Sequence, residues 1–187
     1  IVMQSGKWSF GSNFRALFGS ENLASNTEVM MYRQYDASTG VTHSIGSYSN
    51  ITEGQTAAAN LDLIKSFIAK DGQPYQSSAV TNADKFNIGN LIITRDSRFE
   101  ATFWDVPRSQ SSTLLYSDKF IDRVGPTYAG GSYPPQYGSS TNTNDAPVMR
   151  LAEVVLNWVE AKAEIGSMGG AAVTQSDIDA SINAIRN

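Results

Sequence analysis

Aromatic side chains set among glycine, proline, serine and asparagine are the residues of this chain best suited to molecular recognition. Tyr128, Tyr133 and Tyr137 stand among Gly130, Gly131, Pro134 and Pro135, Tyr48 and His43 share an earlier polar loop, and Trp8 and Trp104 border others. A sugar ring has an apolar C–H face that stacks on an aromatic face. Its hydroxyl edge needs asparagine, aspartate, arginine or tyrosine hydroxyl partners, and loops of this composition supply both. These seven residues are the candidate ligand contacts. The competing reading is that the tyrosines simply pack their loops down.

Other constellations point to less. His43 is the sole histidine, there is no cysteine, and neither a G-x-S-x-G elbow nor an H-E-x-x-H motif occurs. A catalytic triad would have to be built around His43, and a metal site would lack a second histidine or a thiolate. No catalytic residue, metal or cofactor is therefore expected. Glu160 and Glu164 lie one helical turn apart, a spacing open to a carboxylate metal site but more simply a polar stripe. Arg95-Asp96-Ser97-Arg98 places two guanidinium groups around one carboxylate. It is either an anion clamp or, as favoured here, a turn held by side-chain bonds to backbone.

The elements that must position these residues are unevenly marked. From Asn144 to Gly166 the chain reads as one amphipathic helix, with Asp145 as cap, Pro147 in the first turn and Gly166 as the stop. Arg150, Glu153, Asn157, Glu160 and Glu164 recur on one face, and Arg150 is placed to pair with Glu153. Leu151, Val155 and Val159, with Val154, Trp158, Ala161 and Ile165, make most of the circumference apolar. Such a helix calls for neighbours on more than one side. After a glycine connector, Thr174 and Asp177 form a capping box before the stripe Ile178, Ile182 and Ile185. This helix pair has the form of a tetratricopeptide-like unit.

Earlier in the chain, Asn60 caps a helix expected to run to Lys70 and to end at Asp71-Gly72. A short strand is expected over Glu28 to Tyr35, and another over Leu114 to Phe120. Ile92 to Trp104 reads as helix turning into strand. Residues 1–28 read as loop with a short helix, and Asp36 to Gln55, Pro107 to Ser112 and Gly125 to Asn144 as loops.

The run Ala146-Pro147-Val148-Met149-Arg150-Leu151-Ala152-Glu153-Val154-Val155-Leu156-Asn157-Trp158-Val159-Glu160-Ala161-Lys162-Ala163-Glu164 resembles the signature of the SusD/RagB family, with Leu151 in place of the usual tyrosine and Val159 of the usual alanine. Gln175 to Asp179 with Ile182 to Arg186 is similar to that family's second helix. Arg95-Asp96-Ser97-Arg98-Phe99-Glu100-Ala101-Thr102 resembles its Arg-Asp-Pro-Arg segment, with Ser97 where proline is common. Glu28 to Arg33 and Leu61 to Ile64 with Asp71-Gly72 fall in the expected order.

The resemblance implies a lipoprotein on the outer-membrane surface of Bacteroidetes-type bacteria. Such a protein captures oligosaccharides, or in some relatives peptides, and delivers them to a SusC-like TonB-dependent transporter without cleaving them. It also implies a chain longer than this segment, with its N-terminal lipid outside it. The other classes kept open are a glycoside hydrolase, which needs a carboxylate pair across a cleft, and a pure scaffold for the transporter interface.

Composition is compatible with that reading. At 187 residues, 41% hydrophobic, the chain can bury a core, and a net charge of −4 with scattered basic residues argues against a nucleic-acid groove. The expected architecture is mainly α. Residues 1–144 are expected to form an irregular, loop-rich ligand side with short β-strands, and residues 145–187 the tetratricopeptide-like helix pair, all within one SusD-like domain.

Overall fold

The computed structural model describes residues 2–11, 13–49, 59–103, 115, 117, 119–120 and 138–186. Within them the chain is largely helical, with one small sheet. Trp104, Tyr128, Tyr133 and Tyr137 lie outside the described residues, as do Leu114, Tyr116 and Asp118 of the strand expected over Leu114 to Phe120. The chain divides into two compact units: a larger one of residues 14–21 and 34–145, and a smaller one of residues 1–13, 22–33 and 146–187.

The larger unit is built from short helices: α1 (Phe14–Gly19), α2 (Ile45–Ser49), α3 (Leu61–Ser66), α4 (Ile88–Thr94) and α5 (Ser97–Glu100). Asparagine and aspartate start three of them. Asn60 accepts from the Leu63 N–H at 2.7 Å, Asn87 from Asn90 at 3.0 Å and Asp96 from Arg98 at 3.0 Å, each satisfying a backbone donor that the helix itself leaves open. The helix expected to reach Lys70 stops at Ser66. From Phe67 the backbone is extended, and residues 68–70 pair with 94–96 through Lys70 N–H to Thr94 O (2.9 Å) and Asp96 N–H to Ile68 O (3.1 Å). That pairing satisfies the backbone in place of about one more helical turn, so tertiary contact overrides the local pattern. Asp71-Gly72 closes the next turn instead, with Gly72 at φ +80° and the Asp71 carboxylate accepting from Gln73, Ala79 and Ser78.

Ile64, Leu91, Phe99 and Phe103 form the core of this unit, with Phe67, Phe86, Ile88, Ile92, Ala59 and Leu115 packed against it. Phe67 meets Phe99 edge-on at 5.2 Å, and Phe99 lies 4.9 Å from Phe103. Arg15 of α1 is tied to Glu100 at the end of α5 by an ion pair.

In the smaller unit, β1 (Val29–Arg33) and β2 (Ala146–Arg150) pair antiparallel, with Val29 opposite Arg150 and Tyr32 opposite Pro147. The helix expected from Ala146 therefore begins five residues later, as α6 (Leu151–Ser167). Proline disfavours helical backbone at the residue before it. In a two-stranded sheet both strands are edges, where a missing N–H costs little. Arg150 precedes α6, so its guanidinium reaches the buried Glu28 at 2.8 Å and not the expected Glu153. Asp145 is not the cap of α6 either: within the larger unit, its carboxylate accepts from the Tyr35 N–H.

Leu151, Ala152, Val155 and Val159 form one buried stripe on α6, whereas Trp158 and Ile165 are 41% and 52% exposed. The second apolar flank, expected to be covered, faces outward among the described residues. Gly166 lies inside the helix, and the left-handed turn falls at Gly169 (φ +90°), where Met168, Gly169 and Gly170 donate back to the last carbonyls. The expected capping box is present at α7 (Gln175–Ile178), which continues through a π-helical stretch, Asp179–Asn183, into α8 (Ala184–Arg186). Lys162 of α6 pairs with Asp177, and that bond, then those to Thr174, pull the Asp177 carboxyl down to about 2.

Two outcomes test this packing. Phe99→Ala should lower the unfolding free energy of the chain by about 3–5 kcal/mol in denaturant titration, because a fully buried ring is removed from a cluster that cannot close over it. The Asp177 carboxyl should titrate near 2 by NMR and move up toward 3.8 in Lys162→Met. Because its folded value is depressed, the stability it contributes is present above the ordinary aspartate range and is lost as pH falls through about 2.

Candidate functional site

The larger unit holds a pocket of about 530 Å³ lined by the apolar residues Phe14, Ala59, Leu63, Phe67 and Phe103 and the polar residues Ser66, Arg98, Thr102, Ser117 and Lys119. Two aromatic groups shape it. Phe67 and Phe103 belong to the ring cluster around Phe99. Phe14 stacks edge-on with Phe18 at 4.9 Å, and Phe18 with Phe120 at 5.8 Å. The Lys119 ammonium stands 4.1 Å from the centre of the Phe18 ring, a cation–π contact that keeps the charge at the pocket. Flat apolar faces beside a few polar groups are what a small polar ring with one apolar face requires.

The Arg-Asp-Ser-Arg run splits its two arginines between different tasks. Asp96 caps α5 and also takes the Arg98 guanidinium, a bond that raises the Arg98 pKa. The favoured turn reading is therefore what the structure has at Asp96, while the Arg98 side chain also lines the pocket. Arg95 is fully buried. Its guanidinium lies 5.5 Å from the Phe86 ring and 5.9 Å from Tyr75, and it donates to the Thr94 hydroxyl at 3.1 Å. Burial lowers its pKa, yet an arginine stays charged, so it is a structural cation against aromatic faces.

His43 is half-buried and fully engaged. Its Nε2–H donates to the Asn144 carbonyl at 3.0 Å, and Nδ1 accepts from the Ile45 N–H at 3.2 Å. These two bonds require the neutral ring with the proton on Nε2. The backbones of His43 and Asn142 exchange a pair of bonds, and the buried Asn142 side chain accepts from Gly46 and donates to Gly138. Tyr35 meets the imidazole edge-on at 4.4 Å. The loop histidine thus fastens residues 42–46 to residues 138–144. Tyr48, on α2, is 43% exposed. Trp8 lies in the smaller unit, partly covered, with the Lys7 ammonium 4.8 Å from its ring. Glu160 and Glu164 are exposed on α6.

The pocket residues Phe14, Phe67 and Phe103 were not among the aromatics picked from the sequence. Phe14 falls in the stretch read as loop with a short helix and Phe67 in the apolar stripe of the helix from Asn60, and only the gap left between the two ring clusters gives them a second role. The smaller unit has its own cavity of about 580 Å³, lined by Val154, Val155, Trp158, Ala180 and the committed Asp177 among others, and it is a mostly apolar gap between α6 and α7.

Residues 104–187 match the model of the SusD family, a match covering slightly under half of the chain. The resemblance read from the motifs is borne out over that stretch, which includes the α6 signature, the second helix, and Ser117 and Lys119 of the pocket. No curated protein and no solved structure matches the chain. Among the described residues, no helix is long and apolar enough to cross a membrane.

Burial holds the His43 pKa below its ordinary 6.5, against the bond to Asn144 and the negative field of Glu21, which raise it. The unfolded chain therefore binds this proton more readily than the folded one. Stability should be level above about pH 6.5 and should fall as pH drops from there through the folded value. Unfolding free energies measured at half-unit pH steps should show this slope, and His43→Gln should remove it.

Proposed function

We propose that this chain is part of a SusD-type binding protein that captures oligosaccharides at the outer-membrane surface and delivers them to a TonB-dependent transporter. The observation that carries the reading is the family match over residues 104–187. The pocket of the larger unit supports it, since Phe14 and Phe67 offer apolar rings for sugar C–H groups and polar side chains such as Ser66, Thr102 and Arg98 line the same pocket. In this proposal residues 1–144 carry the ligand side, with Tyr48, His43, Trp8, Trp104, Tyr128, Tyr133 and Tyr137 as further candidate ligand contacts. Residues 145–187 act as a tetratricopeptide-like pair. The exposed flank of α6 suits such a role, because stacked helical pairs bury those faces on one another.

An open site of this size binds modestly, in the micromolar to millimolar range, or roughly −4 to −8 kcal/mol. Calorimetric titration of the chain against neutral and charged oligosaccharides and short peptides, with product analysis of each mixture, tests the proposal. Saturable sugar binding without products is the expected outcome. Phe14→Leu, which removes a flat face while keeping volume, should weaken it about tenfold. Peptide binding would change the cargo, product formation would return the glycoside hydrolase, and silence throughout would favour the scaffold.

A further inference from the structure

We infer that His43 is an acid-operated latch: protonation of its ring at Nδ1 uncaps α2 and frees the first turn of that helix from residues 138–144, while the rest of the unit stays folded.

Two kinds of bond hold residues 42–46 to residues 138–144. The first kind does not involve the imidazole. The His43 N–H donates to the Asn142 carbonyl and the Asn142 N–H to the His43 carbonyl, both at 3.0 Å. Beside them the Thr42 hydroxyl donates to the Ser140 carbonyl at 2.7 Å, and the Ser140 N–H to the Ser44 hydroxyl oxygen at 2.9 Å. The second kind serves α2, whose first N–H groups have no partner inside the helix. Nδ1 of His43 accepts from Ile45 at 3.2 Å, and the Asn142 side-chain oxygen accepts from Gly46 at 2.7 Å. Unlike the side-chain oxygens that start α3, α4 and α5, the imidazole cap is a lone pair that takes a proton near neutral pH.

A proton at Nδ1 puts an N–H where the lone pair was, facing the N–H of Ile45. Two donors cannot share that gap, so the bond is lost. Nothing is lost at the other nitrogen, because Nε2–H donates to the Asn144 carbonyl in both forms of the ring. The charged and titratable groups around the ring pull unequally. The Glu21 carboxylate, which takes the Thr143 hydroxyl at 2.6 Å, attracts the imidazolium. Asp145 follows Asn144 and accepts from the Tyr35 N–H, and the Tyr35 ring meets the imidazole edge-on at 4.4 Å. Burial outweighs Glu21 and Asn144 and holds the ring neutral to below its ordinary 6.5, so the latch is closed at neutral pH. With only five residues, α2 does not hold together without its caps. Loss of the Ile45 bond therefore releases the turn that carries Tyr48, and the backbone pair of His43 and Asn142 remains.

The test is amide hydrogen exchange of the isotopically labelled chain by NMR from about pH 8 to about pH 4.5, corrected for the intrinsic pH dependence of exchange and read beside the shifts of the His43 ring carbons. Protection of Ile45, Gly46 and Tyr48 should fall about fivefold or more with the midpoint of the ring titration, and His43 and Asn142 should stay better protected than Ile45 throughout. Adding about 1 M urea should speed exchange at Leu91 and Phe99 of the core and leave Ile45 nearly unchanged, because opening the latch exposes little surface. In His43→Gln the pH dependence at Ile45 should vanish. Urea sensitivity at Ile45 equal to that at Leu91 means that the turn opens only when the whole unit unfolds, and overturns the latch. Protection at Ile45 that stays level while the ring titrates also overturns it, as does a pH dependence that persists in His43→Gln. The first two outcomes need only the unaltered chain, so the test survives if His43→Gln does not fold.

Discussion

The packing of Phe67, Phe99 and Phe103 is the constraint on which the larger unit rests. Phe99 has no exposed surface and sits in van der Waals contact with rings that come from the end of α3 and from the turn after α5. Those segments are short, and helices of four to seven residues are not stable by themselves. Their side-chain caps and the backbone pairing of residues 68–70 with 94–96 satisfy polar groups, but burial of the rings supplies the driving force. Phe67 and the buried Phe103 of this cluster also line the pocket. Rigid wall and core are therefore a single construction.

Polar residues around that core do more than one job each, which explains how a short motif can be both structural and exposed. Asp96 caps a helix and holds Arg98, Thr94 links the backbone ladder to Arg95, and Arg95 lies against Tyr75 and Phe86 with its charge tempered by the ring faces. The far side of the unit is closed by a different device, the neutral His43 with Asn142 and Asn144. At His43 and Asn142 the buried polar groups are satisfied chiefly by backbone, the economical solution where loops must be fixed without long helices.

In the smaller unit the balance differs. Here a long helix provides its own hydrogen bonding, and the tertiary contacts are few and specific: Arg150 to Glu28 at its start, and Lys162 to Asp177 across to α7. The exposed flank with Trp158 and Ile165 is apolar surface that a single buried stripe does not need. It is the physical feature that connects this unit to the stacked-helix reading.

Much of the local structure was legible from residue type. Asn60 and the Thr174-Asp177 box announced helix starts because short polar side chains bond the free N–H groups of a first turn wherever they occur, and Glu28 to Tyr35 announced a strand by composition. The family signature from Ala146 to Glu164 was legible as a fixed pattern of residue types, although its first five residues form β2 and only the rest lies on α6. What only the tertiary structure decided was where regular structure gives way. Pro147 stands in a strand because Tyr32 is there to pair with it, α3 stops at Ser66 because residues 94–96 compete for its backbone, and Arg150 turns to Glu28 across the unit. The pocket belongs to that second class. Its walls come from residues far apart in the chain, and a gap between packed rings is set by how side chains meet in space, which no local pattern encodes.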